Sequence, residues 1–151
     1  MAPKMFATSP RALLTLKVSI PAGDKCKAET DAAIATYFAE WEKAELATSI
    51  FYLNSAVTNA ISGDVTKFPN ALHGYGEAFG FIQLWKGIPQ EKRKITDAQV
   101  DALLAKIGAD SPYKLITEVG TRGIALNGAV NDIAIIYGFS AAEVEAFKTN
   151  F

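Results

Sequence analysis

The sequence has little of what most catalytic and metal sites are built from, because its 151 residues include one histidine and one cysteine. A single cysteine, Cys26, excludes a disulfide within the chain, and we interpret it as a free thiol. Catalysis by a lone cysteine needs a nearby base, and a closed zinc site needs four Cys or His ligands. Any site that uses an imidazole must therefore be built around His73, with carboxylates beside it.

The sequence also lacks an excess of charge of one sign, and it has no long apolar run. Fifteen basic and sixteen acidic side chains nearly cancel, and no basic run exists, so nucleic-acid binding has little electrostatic support. No apolar run reaches the roughly 18 residues that a membrane-spanning helix needs. Pro10 and Pro21 bracket a short, alternating apolar stretch that does not look like an intact secretion signal. We expect either a cytoplasmic protein or the remainder of an exported one after its leader is removed.

Residues 1–28 are predicted to form an extended or flexible N-terminal arm. Leu14, Leu16, Val18 and Ile20 alternate with polar residues, which is the period of a strand, although no later segment offers a strand partner. Residues 29–151, in contrast, are predicted to form a single helical domain, since half of all residues are hydrophobic and their spacing is helical.

The strongest predicted element is a helix from Glu29 to Ile61, which no proline or glycine interrupts. One of its two apolar stripes has coiled-coil-like spacing and consists of Leu46, Ile50, Leu53, Val57 and Ile61. Further helices are predicted from Pro69 to Trp85, Asp97 to Ile107, Ser111 to Val119, Ile124 to Tyr137 and Ser140 to Asn150. The fold class is therefore all-α, a bundle of about five helices with an extended N-terminal arm.

The segment from Leu72 to Phe81 combines the only histidine with three glycines inside a predicted helix. Each glycine in a helix interior costs about 1 kcal/mol relative to alanine. Gly76 and Gly80 lie one turn apart, the spacing that lets two helix backbones approach closely. We expect tight helix packing at these glycines, with room for a ligand as the alternative.

His73 and Glu77 are four residues apart and share one face of this helix, so they can share a cation. Glu45 occupies a position on the second stripe of the long helix, between Trp41 and Tyr52, where an apolar residue is expected. It lies either half-solvated at the edge of the stripe or inward, where it meets His73 and Glu77. One imidazole with carboxylates suits iron or a hard divalent cation better than zinc. Alternatives for His73 are a hydrogen-bonded core residue or a general acid or base.

Two segments resemble those of an uncharacterised bacterial family, domain of unknown function 4856. The first is Trp41-Glu42-Lys43-Ala44-Glu45 continuing to Ile50-Phe51-Tyr52-Leu53-Asn54; the second runs from Ala71 to Ile82 and is followed by Ile95 to Leu104. There a His-x-x-x-Glu helix precedes an isoleucine, serine or threonine, aspartate turn. The resemblance covers residues 30–104.

The resemblance implies an all-helical envelope or periplasmic protein of Gram-negative bacteria, lipoprotein-like and without an established activity. Such proteins are considered alongside the imelysin-like iron-regulated proteins, which makes His73 and Glu77 metal candidates. Glu77 stands one residue later than the imelysin pattern Gly-x-His-x-x-Glu requires. The lipoprotein cysteine pattern is missing before Cys26, which leaves open a fragment of a longer precursor.

These observations favour a non-enzymatic helical envelope protein with a binding or assembly role, linked to iron through His73, Glu77 and Glu45. One alternative is a metal-dependent or acid/base enzyme that uses the same three residues. The other is a purely structural oligomerisation domain, whose interface is the Leu46–Val57 seam or the glycine face. The expected partners are a protein or a second copy of this chain, with no nucleic acid.

Overall fold

The computed structural model describes residues 9–108 and 111–149. Seven α-helices follow one another in this part of the chain: α1 (Ser9–Ser19), α2 (Lys27–Ile61), α3 (Phe68–Gln83), α4 (Asp97–Ile107), α5 (Lys114–Thr117), α6 (Val119–Tyr137) and α7 (Ala141–Thr149). Short 3-10 turns occupy Ile20–Cys26, Val65–Lys67, Leu84–Gly87 and Gln90–Lys92. The described residues contain no strand, so the prediction of an all-α bundle is confirmed. No helix among them is both long and apolar enough to cross a membrane.

The prediction of an extended arm is wrong for the described part of residues 1–28, which forms α1, a 3-10 turn and the first two residues of α2. Residues 1–8 lie outside the described residues. Gly23, with φ +61°, interrupts the helical backbone between α1 and α2. The Thr30 hydroxyl donates a hydrogen bond to Ser19 Oγ over 2.8 Å. Arg11 of α1 and Thr36 of α2 line one groove between the two helices, so α1 runs back along the start of α2. A left-handed glycine thus makes a helical hairpin where the alternation indicated a strand.

Helix α2 lies at the centre of the bundle and contacts α1, α3, α6 and α7. Within its predicted seam, Leu46, Ile50 and Leu53 are fully buried, whereas Ile61 is 61% exposed. The buried seam residues belong to the chain's own core and offer no free surface to a second copy. The seam is therefore not the oligomerisation interface that the spacing suggested.

The later helices follow the predicted order with shifted ends. Helix α4 has the predicted bounds, because Thr96 and Gln99 form a capping box and Gly108, with φ +76°, ends it. Helix α6 already begins at Val119 and includes Gly120 and Gly123, which the sequence suggested would weaken this region. Gly123 is buried, and a Cβ there would be in ordinary contact with Val57 Cγ1 of α2 at 3.6 Å, so the packing does not require a glycine at this position.

The close approach of α3 to α2 occurs at Gly74 and not at the predicted pair Gly76 and Gly80. A Cβ on Gly74 would lie 3.1 Å from the carbonyl oxygen of Tyr52 and 3.3 Å from the backbone nitrogen of Ala56. A Cβ on Gly76 or Gly80 would meet nothing within 4 Å. Only one of the three glycines is therefore required by packing.

Alanine substitutions should separate these roles. We expect Gly74→Ala to lower the free energy of unfolding by about 1–3 kcal/mol, because the α2 backbone cannot move aside easily. Gly76→Ala and Gly80→Ala should each raise it by about 0.5–1 kcal/mol through helix propensity. Urea denaturation measures all three, and a destabilising Gly80→Ala would contradict the open surroundings of that residue.

Candidate functional site

The most unusual polar group in the structure is the carboxylate of Glu42, which lies in α2 and is 1% exposed. Its Oε1 accepts hydrogen bonds from the Ile95 amide over 2.7 Å and from the Tyr137 hydroxyl over 2.6 Å. Its Oε2 accepts one from the Lys94 amide over 2.7 Å. One side chain of α2 thereby joins the segment before α4 to the last residue of α6.

Local sequence explains why these donors need an acceptor. Residues between the Gln90–Lys92 turn and α4 are not helical, and Arg93 has an extended backbone with φ −137° and ψ 153°. The Arg93 amide still donates to the Gln90 carbonyl, but those of Lys94 and Ile95 lack partners within a helix, and a buried amide without a partner is costly. Tyr137 ends α6, where Gly138 adopts a left-handed conformation with φ +70°. The Glu42 carboxylate satisfies both the loop amides and the phenol.

Arg93 stabilises the same segment from within, and its side chain is only 2% exposed. Nε donates to the carbonyl oxygen of Ile88, Nη1 donates to that of Ile95, and Nη2 donates to Asp97 Oδ1, each over 2.7 Å. The guanidinium thus satisfies two loop carbonyls and one carboxylate at once, a use for which its planar set of donors is suited.

Tyr137 is held in its protonated form. Burial raises its pKa well above the usual value near 10, and the hydrogen bond to Glu42 and the charge of that carboxylate raise it further. The Arg93 guanidinium opposes this shift to a smaller degree. The phenol therefore acts as a hydrogen-bond donor to Glu42 at neutral pH.

Glu42 and Tyr137 also line an open groove of about 500 Å³ between the first half of α2 and residues 91–94. The apolar part of the groove comes from Ile34, Ala35, Phe38 and Ala39, and the cationic part includes Lys43, Lys92 and Lys94. Two ammonium groups lie over aromatic rings: Lys92 Nζ is 5.7 Å from the Phe38 centroid, and Lys94 Nζ is 5.5 Å from that of Tyr137. The groove thus combines an apolar surface with positive charge.

The residues predicted to bind a metal are placed differently. His73 Nε2 lies 4.0 Å from Glu77 Oε1, but these side chains are 67% and 39% exposed, so His73 is not a core residue either. Glu45 is half-buried and accepts a hydrogen bond from Trp41 Nε1 over 2.7 Å. Among residues 9–108 and 111–149, no three His, Cys, Asp or Glu side chains are grouped to hold a metal ion. The predicted His73, Glu77 and Glu45 centre is therefore not formed.

No family model, curated protein or solved structure matches this chain. The resemblance of residues 30–104 to the uncharacterised bacterial family is accordingly neither supported nor contradicted by a relative. The function has to be argued from the groove and from the contacts beneath it.

Sequence reasoning chose Glu45 and missed Glu42, three residues earlier on the same helix. A signal for Glu42 was nonetheless present, because Glu42 lies one turn before Leu46 and so continues the seam of Leu46, Ile50 and Leu53 toward its start. A carboxylate in line with three fully buried side chains predicts a buried acid that needs donors. Those donors could not be foreseen, because they lie more than fifty residues away.

The exposure of His73 gives a direct test of its role. We expect His73→Ala to change the free energy of unfolding by less than about 0.5 kcal/mol, as for most surface substitutions. In thermal unfolding, added Fe²⁺ should leave the Tm of the wild type unchanged, and it should leave the Tm of the variant unchanged as well. A rise in Tm with Fe²⁺ that His73→Ala abolishes would contradict this expectation and restore His73 as a ligand.

Proposed function

We propose that this chain is a non-enzymatic binding domain whose groove takes a small amphipathic anion, a ligand with an apolar body and a carboxylate or phosphate head. The observation that carries the proposal is the placement of Lys43, Lys92 and Lys94 around the apolar surface of Ile34 and Phe38. Such a surface favours an apolar chain, and the three ammonium groups favour an anion at its end.

The size and the charges of the groove support this class of ligand. Its volume of about 500 Å³ lies within the range of small-molecule sites. Of the acidic residues that line it, Glu42 is used by internal hydrogen bonds, Asp31 is paired with Lys27 over 2.5 Å, and Glu91 is exposed beside Lys92. Lys92 and Lys94 lie over aromatic rings that a ligand's apolar part would also contact, whereas Lys43 Nζ lies 3.7 Å from Glu40 Oε1. At the end of the groove formed by residues 91–94, Lys92 and Lys94 outnumber Glu91, so the local charge there is positive.

The polar groups beneath the groove support binding over catalysis. Both oxygens of Glu42 accept hydrogen bonds from the protein, and the Tyr137 hydroxyl donates to one of them. A general base needs an oxygen within reach of the substrate proton. The enzyme alternative relied on His73, Glu77 and Glu45, which the described structure does not group together.

A bacterial envelope location is a further part of the proposal, and it rests only on the resemblance of residues 30–104. A link to iron has no support in the grouping of the described side chains. The groove gives the binding role a concrete site, which the resemblance alone does not.

Calorimetric titration with matched twelve-carbon ligands tests the groove. We expect dodecanoate and dodecyl phosphate, below their micelle concentrations, to bind more tightly than dodecanol and dodecyltrimethylammonium. The double variant Lys92→Glu/Lys94→Glu should weaken dodecanoate binding by about tenfold or more, because two attractive charges become repulsive. The Lys94 backbone amide still donates to Glu42 in that variant, so the loop is kept.

Lys86→Glu is the matched control, because Lys86 is exposed and pairs with Asp101 away from the groove. It should bind dodecanoate as the wild type does. Equal affinity for the anionic and cationic ligands, or full binding by Lys92→Glu/Lys94→Glu, would reject the proposal.

A further inference from the structure

The outward face of α1 carries three large apolar side chains, whereas most surface helices turn such residues toward the core. Leu13, Leu14 and Val18 are 51%, 63% and 69% exposed, whereas the small residues Ala12 and Ser19 are buried against α2. In helical projection Leu14 lies opposite Ala12 and Ser19, Leu13 and Val18 lie on either side of it, and Lys17 projects between Leu13 and Leu14. The helix therefore packs through its small residues and presents its large apolar ones to the outside.

The segment that carries this face is rich in cations, although Glu29 of α2 lines the same groove as Arg11. Arg11, Lys17 and Lys25 are exposed, and Asp24 is the only acidic residue between positions 11 and 26. Lys17 projects from the same side of α1 as Leu13 and Leu14. The first residue of the following turn, Ile20, is 61% exposed and extends the apolar surface. The chain as a whole has a net charge of −1, so this segment is locally positive in a slightly acidic protein.

We propose that α1 and the turn after it bind in the plane of an anionic membrane surface. Apolar side chains that enter the boundary between headgroups and acyl chains, with lysine and arginine beside anionic lipids, are the features of an interfacial helix. A two-fold contact with a second copy would bring the cations of one α1 toward those of the other. Charge thus favours an anionic lipid surface over self-association.

This surface is separate from the groove of the proposed function. Helix α1 covers α2 on the side of Ala33, whereas Ile34 and Phe38 line the groove on another side of α2. Binding of a ligand in the groove and binding to a membrane can therefore be measured and can fail independently.

Co-sedimentation with lipid vesicles tests the inference. We expect the protein to bind vesicles that contain phosphatidylglycerol, to bind phosphatidylcholine vesicles weakly, and to dissociate as NaCl is raised. The double variant Leu14→Ser/Val18→Ser should lower the partition coefficient by about tenfold or more, since two apolar side chains no longer enter the interface. The double variant Lys17→Glu/Lys25→Glu should lower the partition coefficient on anionic vesicles, because two attractive charges become repulsive.

The matched control is Ile124→Ser/Ile135→Ser, because these α6 side chains are 77% and 79% exposed and lie outside α1. It should bind vesicles as the wild type does, and circular dichroism should show that all variants stay helical. The inference is overturned if the wild type does not bind anionic vesicles, or if Leu14→Ser/Val18→Ser binds them fully. A dimer in light scattering that Leu14→Ser/Val18→Ser dissociates would also overturn it in favour of a second copy.

Discussion

Replacing Glu42 by alanine is expected to lower the free energy of unfolding by about 4 kcal/mol or more. The substitution leaves the amides of Lys94 and Ile95 and the hydroxyl of Tyr137 without their acceptor. Each buried donor without a partner costs about 1–3 kcal/mol. Single domains are stable by about 5–15 kcal/mol in total, so a loss of this size removes a large part of the stability. Thermal and urea denaturation measure the effect.

Glu45→Ala is the control for this prediction, because it removes a carboxylate from the same helix only three residues away. Glu45 accepts one hydrogen bond, from the half-buried Trp41, and its loss should cost under about 1.5 kcal/mol. Glu42→Gln keeps the size of the side chain and should fall between the two. If Glu42→Ala and Glu45→Ala lower the free energy of unfolding by similar amounts, the three hydrogen bonds to Glu42 contribute little to stability.

Arg93→Met is expected to cost about 2–4 kcal/mol, although the residue forms only one ion pair. Its partner Asp97 is 61% exposed, and a pair with such an exposed carboxylate contributes little by itself. The larger loss comes from the carbonyl oxygens of Ile88 and Ile95, which lose charged donors, although Gln90 Nε2 still donates to Ile95 over 3.2 Å. Ile95 is fully buried, so water cannot easily replace the guanidinium there.

Two controls separate these contributions. Asp97→Ala removes the ion pair alone and should cost under about 1 kcal/mol. Lys92→Met removes a cation from the exposed neighbouring position and should change stability by less than about 0.5 kcal/mol. If Asp97→Ala destabilises the protein as much as Arg93→Met does, the ion pair and not the loop carbonyls would be the main contribution of Arg93.

Local signals were enough to predict much of the fold. The bounds of α4 follow from Thr96, Gln99 and Gly108, which act within a few residues of the helix ends. The start of α7 follows in the same way from Ser140 and Glu143, whose side chains accept hydrogen bonds from each other's backbone amides. Helix α2 was predictable because no glycine or proline interrupts it.

Where local signals were ambiguous, neighbouring helices decided the structure. The alternation of Leu14, Leu16 and Val18 with polar residues is compatible with a strand. In the structure these residues belong to a helix that packs through Ala12 and Ser19. The glycines of α3 are equivalent in sequence, yet only Gly74 faces the α2 backbone. Glu42 was missed for the same reason, because its donors come from distant parts of the chain.

Amide hydrogen exchange at Ile95 tests most directly whether Glu42 holds the segment before α4 in place beneath the groove. The Ile95 amide is buried and donates to Glu42 Oε1, not to another backbone group. We predict strong protection of this amide in the wild type, comparable to that of Val100 in α4, and at least about tenfold less protection in Glu42→Gln relative to Val100. Rapid exchange of the Ile95 amide in the wild type, or unchanged relative protection in Glu42→Gln, would contradict this role for the Glu42 carboxylate.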